Sequence, residues 1–331
     1  MDRGDQGGGM SERYARQIVL PEVGPEGQAR LGAATVAVIG AGGLGCAVLP
    51  VLAGGGVGRL IVIDDDRVEL SNLHRQPLYT MADIGRPKVE AARDAIARYN
   101  PDVEIAARAG RLGPEDAAAL VAEADLVVDA TDRLAVTYVT SDACLQAGKP
   151  LIAASVIGQK GFVGGFCGGA PSYRAIFPDM PSSVGSCAAN GVLGSAVAIV
   201  GGFQAHMALQ VILDTTPSPL GRLVTLDLSD LAIGGFRFDG APEPAGPGPA
   251  FIGRGGLTAG DLVVELRDEA EAPEPVVEDA LRVSPAAIEA DAGLPRDRRL
   301  VFACATGVRA FRAARSMQRR GRADVAVLLA E

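Results

Sequence analysis

The residues best suited to chemistry at a phosphate follow a glycine-rich turn in the first quarter of the chain. Residues 64–76 read DDDRVELSNLHRQ, and the cation Lys88 and the carboxylate Asp132 come later. Cations such as Arg75 and Lys88 neutralise the charge that develops on a transferred phosphoryl group, and a carboxylate positions Mg²⁺. A hydride-transfer site has no evident need for this set. The pattern therefore indicates ATP and Mg²⁺ rather than a nicotinamide.

The turn before these residues has the spacing of a dinucleotide-binding loop, G-x-G-G-x-G, between a predicted strand and a predicted helix. Its glycines are Gly40, Gly42, Gly43 and Gly45. Missing side chains let the backbone approach phosphates, and the helix N-terminus contributes its positive end. Asp64 ends the next predicted strand, where an acid commonly binds a ribose. The turn alone also suits a nicotinamide-dependent oxidoreductase, and that hypothesis stays open.

A second candidate site lies near the C-terminal end, where residues 304–309 read CATGVR between a predicted strand and a predicted helix. Backbone N–H groups of a tight loop and the helix N-terminus would stabilise a thiolate or persulfide on Cys304. Cys187 lies in the polar loop SSVGSCAAN and is also a candidate reactive thiol. Three other cysteines sit in apolar surroundings and are interpreted as packing residues: Cys46, Cys144 and Cys167.

The elements that must position these residues alternate between apolar strands and helical stretches from about residue 30 to residue 230. Such alternation predicts an α/β fold, a Rossmann-like and mostly parallel sheet with flanking helices. The proline- and glycine-rich stretch 239–256 is typical of a linker. We therefore expect a disordered N-terminus over 1–10, a nucleotide-binding domain over 11–238, and a small α/β domain over 257–331.

Composition indicates which binding partners and which cellular compartment to expect. The formal net charge is −9, which argues against nucleic acid because phosphate binding needs a basic surface. Five scattered cysteines and a polar N-terminus predict a reducing cytoplasm. Residues 191–213 have the length of a membrane span, but they contain Gln204, His206 and Gln210. They are predicted to form a buried helix of a soluble core, with no membrane involved.

Seven motifs occur in a fixed order: RYARQ (13–17), GAGGLG (40–45), DDDRVELSNLHRQ (64–76), GRPKVEAA (85–92), NPDVEI (100–105), DATD (129–132) and GVLG (191–194). This order resembles the ThiF/MoeB/HesA family, bacterial relatives of ubiquitin-activating enzymes, over residues 11–236. The resemblance implies ATP-dependent adenylation of the C-terminal glycine of a ubiquitin-like sulfur-carrier protein with a diglycine tail. The carrier and its pathway, such as molybdopterin or thiamine biosynthesis, stay open.

The resemblance also implies a role for each matching residue. The glycines of the turn would cradle the nucleotide, and Asp64 would hold its ribose. Five residues match positions that line the ATP phosphates: Asp66, Asn72, Arg75, Gln76 and Lys88. Asp132 matches a magnesium-associated aspartate. Arg16 resembles an arginine that reaches into the ATP site of the neighbouring subunit, which implies a homodimer.

The C-x-x-G-x-R arrangement at Cys304 resembles the active-site loop of rhodanese, although rhodanese domains are usually longer than this one. The resemblance implies that Cys304 carries a sulfane sulfur, with Gly307 and Arg309 shaping the anion-binding cradle. A donor such as a cysteine desulfurase or thiosulfate would deliver that sulfur. Cys187 corresponds to a cysteine that in relatives bonds covalently to the carrier or its sulfur. The leading hypothesis is thus a fused adenylyltransferase and sulfurtransferase. Two further hypotheses stay open: an adenylyltransferase whose C-terminal domain is a non-catalytic binding module, and a catalytically silent scaffold.

Two departures from the family pattern bear on the site. Many members bind a structural zinc through two C-x-x-C pairs, but here Ser172 and Ala175 occupy the first pair of positions and no cysteine lies between 188 and 303. We therefore expect no zinc. Arg133 follows Asp132 where the family usually has asparagine, which changes the local chemistry of the predicted magnesium or carrier-tail pocket.

Overall fold

The structure, a computed structural model, describes residues 8–181, 191–246, 248–289 and 293–329, which fold into two units. The first contains α1 (Gly8–Ile18), α2 (Gly24–Ala33), β1 (Thr35–Ile39), α3 (Gly43–Gly55), β2 (Arg59–Asp64), α4 (Lys88–Tyr99), β3 (Glu104–Ala109), α5 (Pro114–Glu123), β4 (Leu126–Asp129), α6 (Leu134–Ala147), β5 (Pro150–Ile157), β6 (Lys160–Cys167), α7 (Tyr173–Ile176), α8 (Gly194–Leu213), β7 (Arg222–Asp227) and β8 (Ala232–Arg237). The second contains β9 (Ala250–Ile252), β10 (Leu262–Glu265), β11 (Leu281–Arg282), α9 (Pro285–Glu289), β12 (Leu300–Ala303), α10 (Val308–Arg319) and β13 (Val325–Leu328).

The sheet of the first unit has the order β3-β2-β1-β4-β5-β6-β7-β8. The strands from β3 to β5 are parallel, and β6, β7 and β8 continue the sheet antiparallel. The mostly parallel, Rossmann-like sheet predicted from the sequence is confirmed, and β8 is an addition that the sequence analysis missed. The chain order reverses between β1 and β4, and sheets of this kind bind ligands at the carboxyl ends of the strands beside such a point.

The central strand β1 shows why its sequence is apolar throughout. Val36 and Val38 pack into a core shared with α3, α4 and α8, whereas Ala37 and Ile39 pack into a core shared with α5 and α6. Successive side chains of a strand point to opposite faces, so a strand covered on both sides is apolar at every position. The glycine turn that follows β1 is held between these two helical layers.

Helix α8 is the long apolar segment of the sequence. Within the described residues it is the one helix long and apolar enough to cross a membrane. In the fold it packs on α3, β5 and β6. Its side chain Gln204 is fully buried and donates to the backbone carbonyls of Asp129 and Ile152, at 2.6 Å and 3.2 Å. A glutamine that bonds to two strands belongs to a packed core helix.

The second unit has a five-stranded parallel sheet in the order β11-β10-β12-β13-β9. Its strand β9 comes from residues 250–252, inside the stretch predicted as a linker, so the linker is shorter than expected. The first helix begins at Gly8, inside the stretch predicted to be disordered, and residues 1–7 lie outside the described part. The difference at β9 arises because this strand pairs with β13, a partner distant in the sequence.

The two units share a buried interface. Tyr138 of α6 lies 5.4 Å from the ring of Phe311 in α10 and 6.4 Å from the ring of Phe251 in β9. The guanidinium of Arg174 lies over all three rings, at 5.0 to 5.7 Å from their centroids, and donates to both carboxylate oxygens of Asp142. The second unit is therefore anchored to the helix that begins beside the predicted magnesium residue.

Hydrogen bonds hold the segment in which Ser172 and Ala175 replace the first C-x-x-C pair. The backbone N–H and the hydroxyl of Ser172 donate to the two carboxylate oxygens of Glu243, at 2.6 Å each. The Ser172 hydroxyl also accepts from the N–H of Ala175 and caps α7. These bonds tie the start of α7 to the chain that leaves β8.

Candidate functional site

A cavity of about 560 Å³ opens at the carboxyl ends of the parallel strands, beside the reversal between β1 and β4. Most of the residues predicted to bind the nucleotide line it: Gly40, Gly42, Gly43, Asp64, Asp66, Asn72, Arg75, Gln76, Lys88 and Asp132. These residues come from five separate segments of the chain. The sheet brings them together because parallel strands end at a common edge.

The glycine turn is shaped by close backbone approaches. Gly40 has φ +98°, and a Cβ there would lie 2.8 Å from the carbonyl oxygen of Ala130. Gly45 does not line the cavity. A side chain at Gly45 would collide with the carbonyl of Gly40, so this glycine lets α3 begin tightly against β1 rather than contacting a nucleotide. The prediction for Gly45 is corrected to this packing role.

Two acids at the end of β2, Asp64 and Asp66, fix the backbone of the glycine turn and the position of Lys88. The carboxylate of Asp64 accepts from the N–H of Ala41 at 2.7 Å and from the N–H of Asp66 at 2.8 Å. Burial raises the pKa of Asp64, against the charge of Lys88 and these hydrogen bonds. A carboxylate has about four lone-pair sites, so Asp64 retains acceptors for a ribose hydroxyl. Asp66 accepts from the ammonium of buried Lys88 at 2.7 Å and thereby holds that cation at the cavity.

The SNLHRQ segment turns in a short 3₁₀ helix, Leu70–Asn72, and delivers three polar side chains to the cavity. Arg75 donates to the carbonyl of Ser71 at 3.0 Å. Gln76 is 2% exposed, and its Oε1 has no hydrogen-bond partner among the described residues. Buried polar atoms are usually paired. An unpaired acceptor that lines the cavity fits a ligand with a polar donor, as a nucleotide has.

Asp132 lies between the end of β4 and the start of α6, exposed and lining the cavity. Within the described residues it makes no ion pair. Its oxygens therefore suit a hard cation such as Mg²⁺. The carboxylates of Asp64, Asp65 and Asp66 also lie within 4.8 Å of one another. Each of these three already has protein partners, so Asp132 is the better candidate for the metal.

Asp65, the middle acid of the three at the end of β2, has two cationic partners. Arg111 donates to Asp65 through Nε and Nη2, at 3.1 Å and 2.8 Å, and Arg133 donates through Nη2 at 3.3 Å. All three residues line the cavity. Arg111 follows β3, the neighbour of β2 in the sheet. Its position just past a strand end was the signal that could have identified it.

The Cys304 loop connects β12 to α10. Cys304 is 5% exposed, and its Sγ accepts from the N–H of Ala310 at 3.4 Å. Gly307 has φ +79° and precedes α10, and a Cβ on it would lie 3.0 Å from the Cβ of Ala135 in α6. Arg309 pairs with Glu271. The loop thus packs on the first turn of the helix that starts beside the nucleotide cavity, with its thiol turned inward.

The remaining predicted residues lie elsewhere. Arg16 is exposed on α1 and does not line the cavity of its own chain, and Cys187 lies outside the described residues. The other cysteines are buried, as the sequence predicted. Burial raises the pKa of Cys46 and of Cys167 to about 12 and also raises the pKa of Cys144. These three thiols pack the core and stay protonated at neutral pH.

Residues 14–244 match the profile of the ThiF family. The chain belongs to the ThiF family. It is 44% identical over 224 residues to the "Sulfur carrier protein adenylyltransferase" of Thermus thermophilus, covering 65% of this chain and 83% of that one. It is 32% identical over 351 residues to the "Probable adenylyltransferase/sulfurtransferase MoeZ" of Mycobacterium tuberculosis, covering 94% of this chain and 89% of that one. These names confirm the sequence-based assignment to an enzyme family of this type.

Other relatives mark the limits of the match. The "Adenylyltransferase and sulfurtransferase MOCS3" of Anopheles gambiae is 43% identical over 219 residues, covering 65% of this chain, and the chain spans about half of it, 49%. Among solved structures, the Escherichia coli MccB complex with MccA-N7isoASN has a TM-score of 0.62 at 22% identity, covering 70% of this chain and 73% of that one. At that identity the likeness shows the fold alone, and it supports the ThiF-type architecture of the first unit.

Proposed function

We propose that this protein uses ATP to adenylate the C-terminal glycine of a ubiquitin-like sulfur-carrier protein, and that a persulfide on Cys304 then replaces AMP. The observation that carries the first step is the convergence of Lys88, Arg75, Gln76 and Asp132 on the glycine turn in one cavity. Cations, a free carboxylate and exposed backbone N–H groups around a cradle are what displacement at a phosphate requires.

In the first step the carrier's terminal carboxylate attacks the α-phosphorus of ATP. The bond between the α-phosphorus and the bridging oxygen breaks, pyrophosphate leaves, and an acyl-adenylate forms. Lys88 is held in place by Asp66, so it would neutralise the phosphates without reorganising as charge develops. The side-chain amide N–H groups of Gln76 and Asn72 would donate to the phosphates and orient them. Mg²⁺ held by Asp132 would neutralise phosphate oxygens.

The second step rests on the Cys304 loop. The terminal persulfide sulfur would attack the acyl carbon, AMP would leave, and an acyl disulfide would join the carrier to Cys304. A thiolate at Cys187 would then attack the Cys304 sulfur and release the carrier thiocarboxylate, which leaves a disulfide that an external thiol must reduce. The close approach of Gly307 to Ala135 supports transfer between the two sites because it packs the Cys304 loop on the first turn of α6, which begins two residues after Asp132.

The second site also supports a rival in which the C-terminal unit is a binding module without catalysis. The specific observation in its favour is the burial of Cys304, 5% exposed, since a persulfide must be reachable to transfer sulfur. A sulfurtransferase therefore requires the loop to open towards the carrier tail.

Arg16 on the exposed face of α1 would complete the site of a neighbouring subunit in a homodimer.

Carrier-dependent ATP–pyrophosphate exchange tests the adenylation step. We expect exchange with a diglycine-tailed carrier and none with a carrier that lacks the last glycine. Absence of exchange with every diglycine carrier tested, together with tight NAD binding, would instead favour a nicotinamide-dependent oxidoreductase.

The sulfur step is tested by thiocarboxylate formation, followed by mass spectrometry of the carrier. A carrier whose terminal carboxylate becomes a thiocarboxylate gains about 16 Da, the mass difference between sulfur and oxygen. Cys304→Ala should leave pyrophosphate exchange intact and abolish this gain in the carrier's mass. An unchanged yield of thiocarboxylate from Cys304→Ala would establish that the C-terminal unit is a binding module.

A further inference from the structure

A second cavity, of about 280 Å³, lies between α9, α10 and the chain that follows α7. Met180, Ile288 and Phe311 line it and are buried, so they give this cavity an apolar floor. Most of the other lining side chains are charged, and they include the arginines of α10: Arg309, Arg312, Arg315 and Arg319. We call these residues the α10 arginine stripe.

The stripe is a local concentration of positive charge on an acidic protein. Its arginines follow one another at intervals of three, three and four residues, and residues three or four apart lie on the same face of a helix. Helix α10 contains no acidic residue, whereas the formal net charge of the whole chain is −9. The side of α10 that lines the second cavity therefore differs in charge from most of the molecule.

Two carboxylates of the chain pair with members of the stripe. Asp179 accepts from Arg315 at 3.3 Å and from Arg319 at 2.6 Å, and Glu271 pairs with Arg309. The Arg319 side chain is 63% exposed and that of Asp179 is 44% exposed, and Arg312 is exposed as well. Ion pairs open to water to this extent are weak. Carboxylates of a partner can therefore approach the same arginines without an opposing energy of more than a small amount.

The stripe lies next to the nucleotide cavity, because Asp179 lines both cavities. A protein that inserts its tail into the nucleotide cavity must rest its folded body on the surface around the opening. An interface of ordinary size covers about 800 Å² of each partner, which is large enough to include the stripe. The carrier's body is therefore the partner that this position favours.

We propose that the α10 arginine stripe is a docking surface for the carrier protein, and that it selects a carrier with acidic residues close to its diglycine tail. This inference rests on the proposed use of such a carrier. Complementary charges across an interface accelerate association and fix the orientation of the partner. A nucleic-acid partner is disfavoured, because the net charge of −9 repels a polyanion.

Fluorescence anisotropy on the full-length protein tests the inference with two labelled peptides that end in Gly-Gly. One peptide has a run of glutamates before the diglycine, and the other has glutamines at the same positions. The wild type should bind the glutamate peptide more tightly, and added salt should diminish that preference. The double variant Arg312→Gln, Arg319→Gln should weaken binding of the glutamate peptide about three- to tenfold, the factor expected for two exposed charge pairs.

Binding of the glutamine peptide should be the same in the double variant and the wild type, because that peptide offers no charge to the stripe. Arg93→Gln is the matched control. Arg93 is also exposed on a helix, at 48%, and pairs with Asp94, but it lies on α4 and lines neither cavity. This control should bind both peptides as the wild type does.

The outcomes separate this inference from the proposed function. Equal affinity of the wild type for the two peptides would overturn the inference, and so would a preference for glutamate that persists in the double variant. Tighter binding of a short RNA oligonucleotide than of the glutamate peptide would also overturn it, by assigning the stripe to nucleic acid. Absence of pyrophosphate exchange with every diglycine carrier, together with an intact preference for glutamate, would refute the proposed function but not the acidic docking surface.

Discussion

Replacing Arg174 by methionine tests how firmly the two units are held together. The Arg174 side chain is 9% exposed, and its guanidinium bonds to both oxygens of Asp142. It also covers the rings of Tyr138, Phe251 and Phe311, which belong to both units. Methionine has similar reach and fills the space, so the change removes the charge and the hydrogen bonds while keeping most of the packing.

The expected loss follows from these contacts. Removing one partner of a buried ion pair costs about 3 to 5 kcal/mol. The Asp142 side chain is 35% exposed and can be rehydrated, which favours the lower value. Losing the cation above the rings adds about 1 kcal/mol. Arg174 Nη1 has no hydrogen-bond partner among the described residues, and removing that atom returns about 1 kcal/mol. We expect the free energy of unfolding to fall by roughly 3 kcal/mol.

Urea unfolding followed by circular dichroism measures this change. Arg237→Met is the matched control, because Arg237 also bonds to both oxygens of an aspartate, Asp239, but at the surface with 43% and 55% exposure. Surface pairs contribute at most about 1 kcal/mol, so the control should lose little. If Arg174→Met were within about 0.5 kcal/mol of the wild type, the scatter of surface substitutions, the interface would not be held by this residue and the reasoning would be refuted.

Three other changes test the site and the core. Lys88→Met should lower the rate of carrier-dependent pyrophosphate exchange about 10²- to 10³-fold. The control Lys160→Met, which breaks a surface pair with Asp227, should leave that rate unchanged. If both variants lost the same amount of exchange activity, Lys88 would have no specific role at the phosphates. Burial raises the pKa of the Asp129 carboxyl from 3.8 to about 7, so the folded state binds the proton more tightly than the unfolded state does. The contribution of Asp129 to stability therefore falls as the pH rises from the unfolded-state pKa to the folded-state pKa. The stability of Asp129→Asn relative to the wild type should therefore increase between about pH 5 and about pH 8, on the order of a few kcal/mol. Urea unfolding at the two pH values measures this change. If the stability difference between variant and wild type were the same at both, the raised pKa of Asp129 would be contradicted. Because burial raises the pKa of Cys46 to about 12, iodoacetamide at about pH 8 should modify this thiol in urea but not in the native protein, as mass spectrometry would show.

Much of the site could be predicted because its chemistry is encoded locally. The turn from Gly40 to Gly43 and the acid Asp64 lie at fixed distances from the apolar runs that became β1 and β2. A strand, a turn and a helix N-terminus recur with this spacing wherever the backbone must approach a phosphate. Gly40, Gly42, Gly43 and Asp64 all line the cavity, so the local pattern was sufficient to identify them.

The boundaries of the second unit could not be predicted in the same way. Residues 250–252 are surrounded by proline and glycine and carry little periodicity, yet they pair with β13 in a parallel register. The partner strand lies more than 70 residues away in the sequence. Such a pairing depends on the surface that the rest of the sheet presents, because strand propensity is largely a measure of packing against neighbours.

The sequence by itself determined which residues could serve a phosphate and which loop could hold a reactive thiol, because both depend on neighbours only a few positions away. Only the tertiary structure decided that Asp65, Arg111 and Arg133 meet at one wall, and that the Cys304 loop rests on α6 with its thiol buried. Those relations depend on the order of the strands in the sheet and on how the second unit docks. Residues far apart in the chain become neighbours only when the strands align their carboxyl ends.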